Sequence, residues 1–184
     1  MKKSNDTTGN KKTRGIFLLA GCILFVVAVL LVILGGRNMS LTDLVSGKKI
    51  VGKDILSDDI TEFYYTYDAS TYPPDYQRYR FYAEDGRYYF YHEKREGDHW
   101  PLREEDITVS GTKELTQEEW NHFFESLCGG IVQNRDDDVV DGDAGPWLYL
   151  YWKNDRGKLQ EFSFASWEEE KDFEQYCLEL MGNQ

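Results

Sequence analysis

Carboxylates clustered around a glycine are the residues of this sequence best suited to chemistry. Asp136, Asp138, Asp141 and Asp143 gather around Gly142 in one short stretch. A hard cation such as Ca²⁺ takes roughly six to eight oxygen ligands, so this loop is a candidate Ca²⁺ site. The EF-hand spacing is not met. Counting from Asp137 puts Val139 at the third position and Leu148 at the twelfth, where ligand oxygens belong. The competing reading is a solvated acidic loop.

The histidines and cysteines offer less. His92 and His99, with Glu93 and Asp98 beside them, supply donors that Zn²⁺ accepts. A zinc site needs three or four converging ligands at short spacings, and no such spacing is present. His122 reads as the polar side of a helix. Cys128 and Cys177 fall near the ends of two expected helices. Outside the cytoplasm they could form a disulfide; otherwise they serve as small buried apolar residues. No G-x-S-x-G, P-loop, G-x-G-x-x-G or Cys-His signature occurs, so no catalytic residue is assigned.

The aromatic excess is the remaining feature, with 13 Tyr, 10 Phe and 5 Trp. Tyr82, Tyr89 and Tyr91 are expected on one strand face with Arg78 and Arg80, between Glu84 and Glu93. Tyrosine beside charge suits recognition, because it offers contact area at little entropy cost. The ligand class would be a protein, a peptide or a wall glycan. The alternative is a solvated outer face made of strand-favouring residues.

The elements that position these side chains can be read locally. Ile60 to Tyr67 alternates as a strand, and the Ser70–Asp75 stretch, with Pro73-Pro74, closes it. Asp85-Gly86 is a preferred type I′ turn, and the flanking residues then pair Glu84 with Arg87, Ala83 with Tyr88 and Tyr82 with Tyr89. Further out, Phe81 meets Phe90, Arg80 meets Tyr91, and Arg78 meets Glu93. Asp106–Ser110 reads as a short strand. Thr116 and Glu119 form a capping box, with Leu115 and Trp120 as its hydrophobic staple. Trp120, Phe123, Phe124 and Leu127 continue at helical spacing until Gly129-Gly130. A second hairpin follows from Trp147, turning at Asn154–Gly157. Ser166 and Glu169 suggest another capping box, ahead of Phe173, Cys177 and Leu180. The expected fold is α+β: an antiparallel sheet domain of two hairpins plus short strands, covered by two amphipathic helices.

Ahead of that domain, residues 15–36 carry no charge and span about 33 Å as a helix, the depth of a bilayer's hydrocarbon core. They are expected to cross the lipid bilayer as a signal anchor. The expected organisation is a basic cytoplasmic tail over 1–14, a transmembrane helix over 15–36, a juxtamembrane linker over 37–58 and an acidic globular domain over 59–184. Leu19-Ala-Gly-Cys22 imitates a lipobox, but the apolar run continues well past Cys22, which argues against lipidation. Lys11, Lys12 and Arg14 abut the first end of the span, so the tail is placed in the cytoplasm and the domain outside.

Residues 37–184 hold 16 of the 21 basic and 32 of the 33 acidic residues, a net charge near −16. That balance excludes nucleic acid as a partner. The combined pattern looks like that of small anchored proteins of Gram-positive bacteria. The expected role is a non-enzymatic, membrane-tethered extracytoplasmic binding or accessory module. The alternatives are an envelope-associated hydrolase using metal or carboxylates, and a structural spacer.

Overall fold

Asp85 and Gly86 both take positive φ, 52° and 75°, as a type I′ turn requires. In the computed structural model, which describes residues 47–135, 145–155 and 159–182, this turn joins the two central strands of a meander. The strands are β1 (Lys49–Ile50), β2 (Ile60–Ala69), β3 (Asp75–Glu84), β4 (Arg87–Arg95), β5 (Ile107–Leu115), β6 (Ile131–Asn134), β7 (Trp147–Trp152) and β8 (Gln160–Ser163). Among the described residues there are two α-helices, α1 (Gln117–Leu127) and α2 (Trp167–Gly182). All eight strands form one antiparallel sheet in the order β1-β6-β8-β7-β2-β3-β4-β5. The domain is therefore α+β, with both helices on one face.

The register of β3 with β4 runs unbroken from Glu84↔Arg87 to Tyr76↔Arg95, through Phe81↔Phe90 and Arg78↔Glu93. It agrees with the pairing read from the Asp85-Gly86 turn. Period-two alternation then sends Tyr79, Phe81, Phe90 and His92 to the helix side. There Phe81 stacks on Phe123 of α1 with centroids 4.1 Å apart, and Tyr88 stacks on Trp120 at 4.3 Å. Thr116 caps α1 by accepting from the Glu119 N–H, and Glu119 returns the bond to the Thr116 N–H. At α2 only one arm forms: Ser166 Oγ accepts from Glu169 N–H at 3.2 Å, while Glu169 Oε2 is buried without a partner.

Four expectations need correction. Residues 47–58 were assigned to a linker, yet Val51 and Ile55 are fully buried in the core. The Val51 backbone bonds to Gly129 and Gly130 behind α1, each at 3.0 Å. Gly52 permits this approach, since a Cβ there would lie 3.0 Å from Cys128 Sγ. The strand expected to end at Ser110 continues to Leu115, because β5 pairs with β4 along its whole length. Strand β6 was not expected, and it exists by pairing with β8 and β1. The second hairpin forms, but β7 and β8 share one register pair, Tyr149↔Glu161. Part of its turn lies outside the described residues.

Residues 1–46, which include the expected tail and transmembrane segment, also lie outside the described residues. Among the described residues no helix is long and apolar enough to cross a membrane.

Phe81 is fully buried between both helices. Phe81→Ala is expected to cost about 3–5 kcal/mol, and Thr116→Ala about 1 kcal/mol through the lost cap. Urea unfolding of the two variants would expose an error if the ranking came out reversed.

Candidate functional site: the open face of the sheet

The side chains that alternate away from the helices line the other face of the same strands. Glu62, Tyr64, Thr66 and Asp68 come from β2, and Tyr76, Arg78, Arg80 and Tyr82 from β3. Tyr89, Tyr91, Glu93 and Arg95 come from β4, and Tyr149 and Tyr151 from β7. Every one of the five residues singled out from the sequence (Tyr82, Tyr89, Tyr91, Arg78 and Arg80) is brought to this face. Each is half-buried.

Arginines and tyrosines interleave across it. The Arg80 guanidinium lies over the Tyr82 ring at 4.4 Å and the Tyr64 ring at 5.6 Å. Arg78 approaches Tyr64 at 5.9 Å and Tyr76 at 5.5 Å. Tyr82 stacks on Tyr89 with centroids 5.0 Å apart, and Tyr64 meets Tyr151 edge-on at 6.3 Å. Arg80 is also ion-paired with Glu62, which accepts the Tyr64 hydroxyl at 2.7 Å. Burial, with that bond to Glu62, pushes the Tyr64 hydroxyl up to about 12. The face is neutralised internally, so its cations are held flat against rings.

One end of the face is covered. The β4–β5 connection reaches over it: Trp100 Nε1 donates to Asp68 at 3.3 Å, and Arg95 donates to the Leu102 carbonyl at 3.2 Å. Under this cover Glu93 is 4% exposed and Tyr76 also 4% exposed. Arg95 donates to Glu93 Oε1 from Nε at 2.7 Å, and Tyr91 donates to Oε2 at 2.6 Å. The uncovered area therefore runs from Tyr82 and Tyr89 through Arg80 and Tyr64 to Tyr151 and Tyr149.

The histidine candidates are not brought together. His92 points to the helix side against Phe90, with centroids at 5.9 Å, whereas Glu93 faces the opposite way. His99 sits 3.4 Å from Asp106 in the β4–β5 connection, and His122, exposed on α1, stacks on Tyr176 at 4.4 Å. Among the described residues no group of three His, Cys, Asp or Glu is placed to hold a metal. Asp136, Asp138, Asp141 and Asp143, the Ca²⁺ candidates, lie outside the described residues. Cys128 and Cys177 are both free thiols. Cys177 is fully buried in the core, and burial pushes it well above the usual thiol range. Cys128 faces the turn at Gly52.

Sequence reasoning did not assign Glu62, Tyr64, Tyr149 or Tyr151 to this face. Alternation in Ile60–Tyr67 groups Glu62 with Tyr64, which was the available signal. Their union with β7 depends on the β2–β7 pairing, which brings together residues far apart in the chain. Comparison with family models, curated proteins and solved structures finds no match.

Burial opposes ionisation of Glu93, but the Tyr91 and Arg95 hydrogen bonds and the charges of Arg95 and Arg78 outweigh it. Its carboxyl is held below the usual range. Such a group contributes its full stabilisation above the unfolded value of about 4.3, and loses it as pH falls through the depressed folded value. Glu93→Gln should therefore be less stable by about 3 kcal/mol near neutrality. The gap should begin to shrink below the unfolded value of about 4.3 and close as pH falls through the depressed folded value, where the wild-type carboxyl takes up its proton. Denaturant unfolding across this range checks it; a gap independent of pH would refute the assignment.

Proposed function

We propose that the chain is a non-enzymatic, membrane-tethered module that presents the open face of its sheet outside the cell. The uncharged run over 15–36 acts as the anchor, and the basic residues before it hold the tail in the cytoplasm. The face from Tyr82 to Tyr149 captures a partner that is a protein, a peptide or a wall glycan. The observation that carries this reading is the unequal covering of the sheet. Both helices are spent on one face, and the other is left with interleaved tyrosine and arginine. Such residues favour binding because their ring positions are already set, so little side-chain freedom is lost on contact. A net charge near −16 beyond the anchor steers the domain away from nucleic acid and from anionic headgroups.

Two measurements test this. A C-terminal tag should be cut by external protease in intact cells; protection until lysis would reverse the orientation. The purified full chain, incubated separately with cell-wall polymer and with secreted protein, should retain a component from one of them. Tyr82→Ala with Tyr89→Ala should lower that retention roughly tenfold or more, given the 1–3 kcal/mol typical of such anchors, with unfolding little changed. Equal retention by the double variant would sink the open-face reading.

A further inference from the structure

Strands β7 and β8 part company beyond Tyr149↔Glu161. Trp147 remains paired with Thr66 on one side of the split, and Ser163 with Ile131 on the other. The first turn of α2 comes up to the gap. The result is a cleft of about 370 Å³, reached by residues from both strands and from α2. That volume lies within the roughly 300–1,000 Å³ of small-ligand sites.

Its chemistry is aromatic and acidic together. Trp147, Tyr149, Phe164 and Trp167 supply rings, and Glu161 and Glu170 supply carboxylates. Glu174 accepts the Tyr65 hydroxyl proton, and Glu170, one helical turn before it, has a carboxylate oxygen 3.4 Å from the same hydroxyl. Among the described residues none of these three acids is ion-paired with a base. Burial first, then the charge of Glu174, raises Glu170 above the usual carboxyl range. It is an acid whose surroundings call for a positive neighbour. Arg135 also lines the cleft, and its guanidinium is engaged, donating to Tyr149 Oη at 2.5 Å. The Trp167 ring already carries one ammonium, that of Lys171, 3.5 Å from its centroid. Its π face is thus turned to a cation and not stacked on an apolar neighbour.

We propose that this cleft seats an alkylammonium group, the end of a lysine side chain on a partner peptide. The methylene stem lies along the aromatic rings, and the charge rests between Glu161 and Glu170. Cation–π attraction and carboxylate pairing reinforce each other there, because both favour the same charge. The surrounding net charge raises the local concentration of cations.

Titration of the full chain with Nα-acetyl-lysine amide, followed by tryptophan fluorescence, tests the site. A saturable change is expected, with none from the neutral Nα-acetyl-norleucine amide. Glu170→Gln, Glu161→Gln and Trp167→Ala should each weaken the lysine probe roughly tenfold. The Tyr82 and Tyr89 double variant should bind it as wild type does, so the site stands or falls apart from the open face. An equal response to norleucine amide or to N-acetylglucosamine would mean an apolar or sugar site and would overturn the proposal. So would a lysine response that survives both glutamine changes, or the lack of any saturable response.

Discussion

Phe63 makes the contact on which both halves of the domain depend. It sits in β2, where the meander β2-β3-β4-β5 meets the strands β7, β8, β6 and β1. Its ring touches Phe123 of α1 at 5.7 Å, Phe162 of β8 at 5.4 Å and Phe173 of α2 at 5.4 Å. Two of these contacts are edge-on, the arrangement that ring quadrupoles prefer. Phe81 extends the cluster to Tyr176, whose hydroxyl donates to the Glu119 carbonyl at 2.7 Å and ties α2 to α1. Trp120, Phe123 and Leu127 of α1 and Phe173, Cys177 and Leu180 of α2 are buried in this one core, while Trp167 and Leu178 of α2 stay exposed.

The open face follows from that commitment. A strand that sends Phe63 and Tyr65 inward must send Glu62, Tyr64 and Thr66 outward. With no helix above them, these residues satisfy one another laterally. Glu62 and Glu93 each hold an arginine and a tyrosine hydroxyl. The arginines in turn lie over tyrosine rings, which keeps an aromatic face wet without leaving it loose. A surface of this kind is held in place by its own contacts and is polar enough to stay dispersed.

Cover and gap divide that surface into parts with different chemistry. The β4–β5 connection closes one end over Tyr76 and Glu93, where the Glu93–Arg95 pair is shielded from water. At the far end the β7–β8 split admits residues from the helix side, so aromatic rings and acids from two faces meet. Neither event is visible in local pattern. A strand pair is expected to zip fully, and β7 and β8 do so at one position.

The sequence by itself determined whatever rests on neighbours along the chain. The Asp85-Gly86 turn set the β3–β4 register, and with it the shared face of Tyr82, Tyr89, Tyr91, Arg78 and Arg80. Thr116, Glu119, Leu115 and Trp120 set where α1 begins, because capping is satisfied within a few residues. Tertiary structure alone decided the rest. Lys49–Ile50 is a strand because β6 offers it partners, and Ile131–Asn134 because β8 and β1 do, not because their own side chains alternate. Ser110 to Leu115 stays extended because β4 offers it partners, which its glycine and charges do not announce. Tyr64 meets Tyr151 only through the β2–β7 pairing. Long-range pairing gains free energy only after distant segments have met, and no window of local sequence records that meeting.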